Sequence, residues 1–343
     1  MGQPQTLIRT HLPMQRMLGF SKTYNFLLWI LFGGTLLAFA VVRLPYLNID
    51  GVYARNAAPG EWYWQHAGWY RLGIIIHLST ILPCSILVVF QFVPTLREKY
   101  TRFHIINGYI VMMLFLISNV GAIMVTPRSL GGGSDIQASM YLLILSSTVS
   151  LGLAWYNIRQ KQIEQHRAWM LRAMAYMGCI VTMRLFIYLG GVLFTTAAHV
   201  TPYYQGVWSC EQLKFTFDHA RNINYPGGSR HDLAEFYPIC AQAALQNLST
   251  TFVPIKVDPR SDNIAEIAMS VAVGFSPAAW FAFILHALGV ELYLAMTPKE
   301  AERLRMISYK RQRAAGLKHA GSAGLVVEKW GDAKPWKPRF KTS

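Results

Sequence analysis

Charge is scarce in this chain. Only 14% of its 343 residues are Asp, Glu, Lys or Arg, while 53% are hydrophobic; ordinary soluble domains carry about 25% charged residues. Much catalytic vocabulary is missing as well. There is no Gly-x-Gly-x-x-Gly, no Walker loop, no Cys-x-x-Cys and no His-Glu-x-x-His, which removes the dinucleotide, P-loop, dithiol and zincin signatures. Gly131-Gly132-Gly133 reads as a short turn between apolar segments, since no strand precedes it. Aspartate-rich clusters that would hold magnesium for a prenyl diphosphate are also lacking, which weighs against a prenyltransferase.

Long apolar runs take their place. Segments at about 24–42, 72–93, 105–126, 137–156, 168–195 and 270–296 each supply the roughly 20 residues that cross a 30 Å hydrocarbon layer. The expectation is an all-α integral membrane protein, a six-helix transmembrane bundle with a long external loop between spans 5 and 6. Pro83 is expected to kink the second span, and Ser276-Pro277 to start the sixth afresh. Ala38-Phe39-Ala40 resembles a signal cleavage site, but the preceding run is long and contains Trp29, so the first segment reads as a span.

The net charge of +15 does not point to nucleic acid. Twelve of the 32 basic residues lie in 297–343, and most others flank apolar runs. Segments 1–23, 94–104, 157–167 and 297–343 fall on one side of a six-span chain and hold 21 basic residues; the opposite loops hold nine. The positive-inside rule then makes 1–23 a cytoplasmic tail, 24–195 spans 1–5, 196–269 an extracytoplasmic loop, 270–296 span 6 and 297–343 a basic cytoplasmic tail. That last tail suits anionic lipid head groups. The loop 196–269 has seven acids against five bases, the cysteines Cys210 and Cys240, and the sequon Asn247-Leu248-Ser249. A disulfide between Cys210 and Cys240 and a glycan on Asn247 are expected there. Cys84 and Cys179 lie inside spans and read as packing residues.

Ionisable groups at membrane depth carry the functional reading. His166, Met170, Ala173, Met177 and Arg184 share one stripe of the fifth span, whose ends lie about 27 Å apart. Arg172 and Glu291 each sit about four to five residues from the cytoplasmic boundary, a depth match for an ion pair. Arg184 lies about 11 residues from the outer end. It is expected to face the bundle interior and to meet carbonyls, Ser118, Asn119 or a substrate anion. His77 and His286 join it as candidate catalytic groups. His104 and His166 share the cytoplasmic depth, which suits a haem b between them or contacts with head groups.

His166-Arg167-x-Trp169-Met170-x-Arg172, with Arg184 twelve residues on, resembles a family of predicted membrane proteins, domain of unknown function 2306. His77 and Phe103-His104-x-x-x-Gly108-Tyr109 fit the family's histidine in an early span and its His-x-x-x-Gly segment opening the next. Ala168 stands where many relatives carry another basic residue. The likeness covers about 70–195 and implies a compact helical bundle without a settled activity. Four functions follow for test: a membrane enzyme on a lipophilic substrate in specialised or secondary metabolite formation, a haem-binding or quinone-linked redox protein, a transporter, and a structural accessory protein.

Overall fold

The computed structural model describes residues 13–196, 204–225, 232–242 and 247–338, with the side chains of 193–196 left out. Among the described residues six helices are long and apolar enough to cross a membrane: α1 (Thr23–Leu47), α2 (Gly68–Gln91), α3 (Thr101–Val125), α4 (Ser134–Arg159), α5 (Ile163–Thr196) and, after the long connection, a sixth at Ile264–Met296. The chain forms two compact units, one of residues 1–56 and 67–124, the other of 57–66 and 125–343.

In the first unit α1 is irregular, with a π-helical stretch at Trp29–Gly34 between two α-helical pieces. Trp29 Nε1 donates to the Val89 carbonyl at 3.2 Å. Helix α2 runs unbroken through Pro83, so the expected kink does not end it. Its seam with α3 is built on backbone. Asn107 donates to the Leu87 carbonyl at 3.0 Å and Gln91 to the His104 carbonyl at 3.2 Å. A Cβ at Gly121 would lie 2.6 Å from both the Gly73 carbonyl oxygen and the His77 nitrogen. Close backbone approach and side-chain-to-carbonyl bonds replace the hydrophobic effect where lipid is the solvent.

In the second unit the connection between α5 and the sixth helix is a small domain of its own. Strands β1 (Gln205–Ser209) and β2 (Phe252–Lys256) pair antiparallel, with Val207 opposite Pro254. Helix α6 (Cys210–Asn222) starts at Ser209, whose hydroxyl accepts from the Gln212 N–H. Cys210 and Cys240 are joined by a disulfide with Cα atoms 5.1 Å apart. Leu213, Phe217, Val253 and Ile255 fill the core together with Ile264, Ala268, Met269 and Ala272.

Those last four residues begin α7 (Ile264–Met296), one continuous helix capped by Asn263. This corrects the expected restart at Ser276-Pro277. Residues before the proline gain a buried apolar core, and residues after it pack Ala278, Ala279 and Ala282 against Leu143, Cys179 and Met183. Burial on both sides outweighs the roughly 3 kcal/mol that an interior proline costs.

The C-terminal segment is also not a loose tail. Helix α8 (Pro298–Ala314) turns Leu304, Ser308 and Gln312 inward. Gln312 donates to the Gln160 carbonyl at 2.9 Å, Ser308 to Glu164 at 2.9 Å, and the Leu325 N–H to Asn157 at 2.9 Å. These three bonds reach the end of α4, the turn after it and the start of α5, and give the buried polar groups that make them partners.

Candidate functional site

Helix lengths bear on the depth of Arg184. Helices α5 and α7 hold 34 and 33 residues, or about 50 Å at 1.5 Å each, well beyond a 30 Å hydrocarbon layer. The excess lies on the loop side, where α7 enters the water-type core of the connecting domain. Arg184 is 21 residues beyond Ile163, about 32 Å along the axis. It lies inside the candidate span Ile163–Val192, nearer its loop-side end. Its side chain is exposed, not packed inside as expected, and Ser118 instead contacts His77.

Arg184 is the smallest of the influences on Glu61, a residue that sequence reasoning passed over because it lies in the short connection between α1 and α2. Glu61 opens a single helical turn, Glu61–Gln65, preceded by Gly60 at φ +84. A side chain at 60 would strike Trp208 of β1, with Cβ 2.5 Å from Cη2. Glycine thus lets the turn lie against the connecting domain.

The Glu61 carboxylate is 8% exposed. One oxygen accepts from Gln65 Nε2 at 3.0 Å, the other from the Leu130 N–H. Leu130 holds a left-handed conformation at φ 49, ψ 49, which costs a branched residue of order 1 kcal/mol and aims its N–H at the carboxylate. Burial pushes the Glu61 carboxyl up to about 7, against the pull of the Leu130 and Gln65 hydrogen bonds and the Arg184 charge. Around it, Arg128 lies 4.5 Å from the Trp64 ring centroid. His66 stacks near Phe215 at 4.8 Å, and Trp62 lies 6.2 Å from His219.

Three of the span histidines share one device. Nδ1 of His77 faces the Ser118 carbonyl at 3.1 Å and its hydroxyl at 2.9 Å; Nδ1 of His166 faces the Ala154 carbonyl at 2.9 Å; Nδ1 of His286 faces the Ala175 carbonyl at 2.8 Å. A carbonyl only accepts, so each Nδ1 carries the proton and Nε2 keeps the lone pair. In His286 that lone pair accepts from the Thr182 hydroxyl at 2.8 Å, making His286 a clamp between α5 and α7 with both ring nitrogens bonded. In His77 and His166 the Nδ1 bond fixes the ring and leaves Nε2 as the reactive atom.

His104 and His166 fall in different units. Arg172 and Glu291 form a two-pronged pair at 2.5 and 2.8 Å, with the guanidinium 4.6 Å from the Trp169 ring. Asn247 is exposed, its carbonyl accepting from Thr251 at 2.9 Å. Cys84 and Cys179 are buried. Among the described residues no group of three His, Cys, Asp or Glu could hold a metal ion.

Six spanning helices and little strand define a multi-pass, all-α membrane protein. Residues 74–210 match the family described as Predicted membrane protein (DUF2306), which includes the stretch where the motif residues of α2, α3 and α5 lie. A curated relative, Ava biosynthesis cluster protein G of Aspergillus versicolor, is 24% identical over 323 residues, covering 81% of this chain and 90% of that protein. No solved structure matches the chain.

Proposed function

We propose that this chain is a membrane enzyme or accessory factor acting on a lipophilic substrate in specialised metabolite formation. The observation that carries the reading is Glu61. It is a buried carboxyl, held by two donors at the loop-side membrane boundary, which exchanges its proton near neutrality beside the Arg184 charge. A group that shares its proton evenly near pH 7 suits general acid–base work, worth about 10²- to 10⁴-fold in rate. Arg184, exposed toward the loop-side end of its span, suits an anionic or polarised oxygen on an otherwise apolar molecule. His77, with Nε2 oriented from behind, is a further base on α2. The name of the Aspergillus relative supports the metabolic setting.

The basic flanks put both termini in the cytoplasm and the connecting domain outside. A disulfide and an exposed sequon asparagine in that domain agree with an oxidising, glycosylating compartment. The basic C-terminal segment then meets anionic head groups on the cytoplasmic face.

Reconstitution of the pathway with Arg184→Ala or Glu61→Gln protein of unchanged melting temperature tests the reading. Product formation is expected to fall at least about 10²-fold in each; equal product from wild type and variants overturns it. The rival is haem ligation by His104 or His166, for which the carbonyl-held Nδ1 of His166 leaves its Nε2 to face an iron. A Soret band in purified, haem-supplemented protein decides for that rival.

A further inference from the structure

The folded C-terminal segment has an outer surface quite unlike its inner one. Inward, its glutamates are engaged: Glu300 with Arg303 at 2.7 Å, Glu302 with Trp336 Nε1 at 3.2 Å, and Glu328 with Arg305. Outward, Lys310, Arg311, Arg313, Lys329, Lys334 and Lys337 are all exposed. Asp332 is the remaining acid of 298–338. In a chain with 12 bases in its last 47 residues, three of the four acids of 298–338 thus have a partner within the segment, and most of the cations remain exposed.

Two large apolar side chains share that outer surface. Val327 is 63% exposed and Trp330 71% exposed, on the single helical turn Val327–Trp330 that also carries Lys329. Their height is set by the bonds just before them. The Gly324 N–H donates to Gln162 at 3.1 Å and the Leu325 N–H to Asn157 at 2.9 Å. Asn157 lies two residues from the end of α4, and Gln162 lies in the turn leading into α5. Residues 324 and 325 are thus pinned where two spans leave the membrane. Val327 is two residues further and Trp330 five, within about 18 Å even if fully extended. At the same end of α4, Trp155 is 44% exposed with the Arg159 guanidinium 5.6 Å from its ring, the amphipathic pairing typical of a head-group layer.

We propose that residues 324–337 form a membrane-interface wedge, in which Val327 and Trp330 enter the head-group layer beside α4 while Lys329, Lys334 and Lys337 bind anionic lipid head groups. The partner is the protein's own bilayer, by charge complementarity and by the pinned height. The inference rests on the head-group reading above and gives it a rigid form: a docked surface of fixed geometry, held by buried Gln162, Asn157 and Gln312, in place of a polybasic tail. Attraction of about fivefold per cation near an anionic surface is the expected scale.

The test uses the full chain in nanodiscs of phosphatidylcholine, with and without phosphatidylserine. A nitroxide on Trp330→Cys, with Cys84 and Cys179 buried and unreactive, is expected to collide more with oxygen than with a water-soluble nickel chelate. The triple variant Lys329→Gln, Lys334→Gln, Lys337→Gln is expected to retain at least tenfold less phosphatidylserine than wild type on purification. A nitroxide in bulk water overturns the wedge even if lipid retention falls, a result that leaves the head-group reading standing. Unchanged phosphatidylserine retention in the triple variant overturns both. Tight binding of a soluble acidic polymer such as heparin, undiminished by phosphatidylserine nanodiscs, overturns the choice of partner.

Discussion

Two regions of the molecule bury and expose opposite things. In the connecting domain Leu213 and Ile255 are 0% exposed, apolar residues converge on one core, and a disulfide closes a 30-residue separation. Along the spans Ile106 is 61% exposed, Leu145 61% and Leu288 66%, while Ser118, Ser147 and Asn157 are buried at 0–1%. The first pattern belongs to water, where burying apolar area is the driving force. The second belongs to lipid, where exposed leucine costs nothing and every buried polar group needs a partner. Helix α7 passes from one regime to the other within a single element: Ala268 and Met269 sit in the water-type core, Ala278 and Ala282 in the helix–helix seam. Glu61 sits in a turn that meets the first of these cores through Gly60 and Trp208.

The comparison is broken most forcefully at the disulfide. Cys240→Ser is expected to destabilise the connecting domain by about 3–4 kcal/mol, and limited proteolysis should then cut within 204–260 while the spans stay protected. Simultaneous loss of the spans means the two regions fold as one cooperative unit.

The boundary itself is tested by pH. Glu61 titrates near 7 in the folded protein against an ordinary 4.5, so its folded value is raised. The stability tied to its neutral form is whole below about pH 4.5 and lost as pH rises through about 7, roughly 3 kcal/mol in all. Glu61→Gln should flatten this slope in thermal melts taken between about pH 5 and pH 8. A slope that survives the substitution assigns it to another group.

The smallest effect is expected in the seam of α2 and α3. Gly121→Ala pushes a methyl into the α2 backbone between Gly73 and His77 and should cost about 1–3 kcal/mol by overpacking, read as a lower melting temperature in detergent. A neutral result means that the helices separate there more easily than the distances imply.

Much of the fold was legible because lipid imposes a length rule. Six apolar runs of about 20 residues had to be spans, and Arg172 with Glu291, matched in depth, are paired in the structure at 2.5 Å. The site was less legible. Arg184 was expected to face the bundle interior but is exposed, because hydropathy counts residues along a helix and does not say which face a neighbouring helix covers. Glu61 was invisible for a different reason. It is a lone acid in a short connection, and only the meeting of Gly60 with Trp208 and of Leu130 with its carboxylate buries it.

The sequence by itself determined the solvent of each segment: which runs face lipid, which loop holds the two cysteines and the sequon, and where positive charge accumulates. These follow from local composition, because transfer free energies add residue by residue. Tertiary structure alone decided that α7 runs through Pro277, that the C-terminal segment docks on Gln162 and Asn157, that His286 is a bonded clamp, and that Glu61 is buried against Gln65 and Leu130. Each of these depends on groups far apart in the chain competing for the same buried hydrogen bonds or charges. That competition has no outcome until the helices are packed.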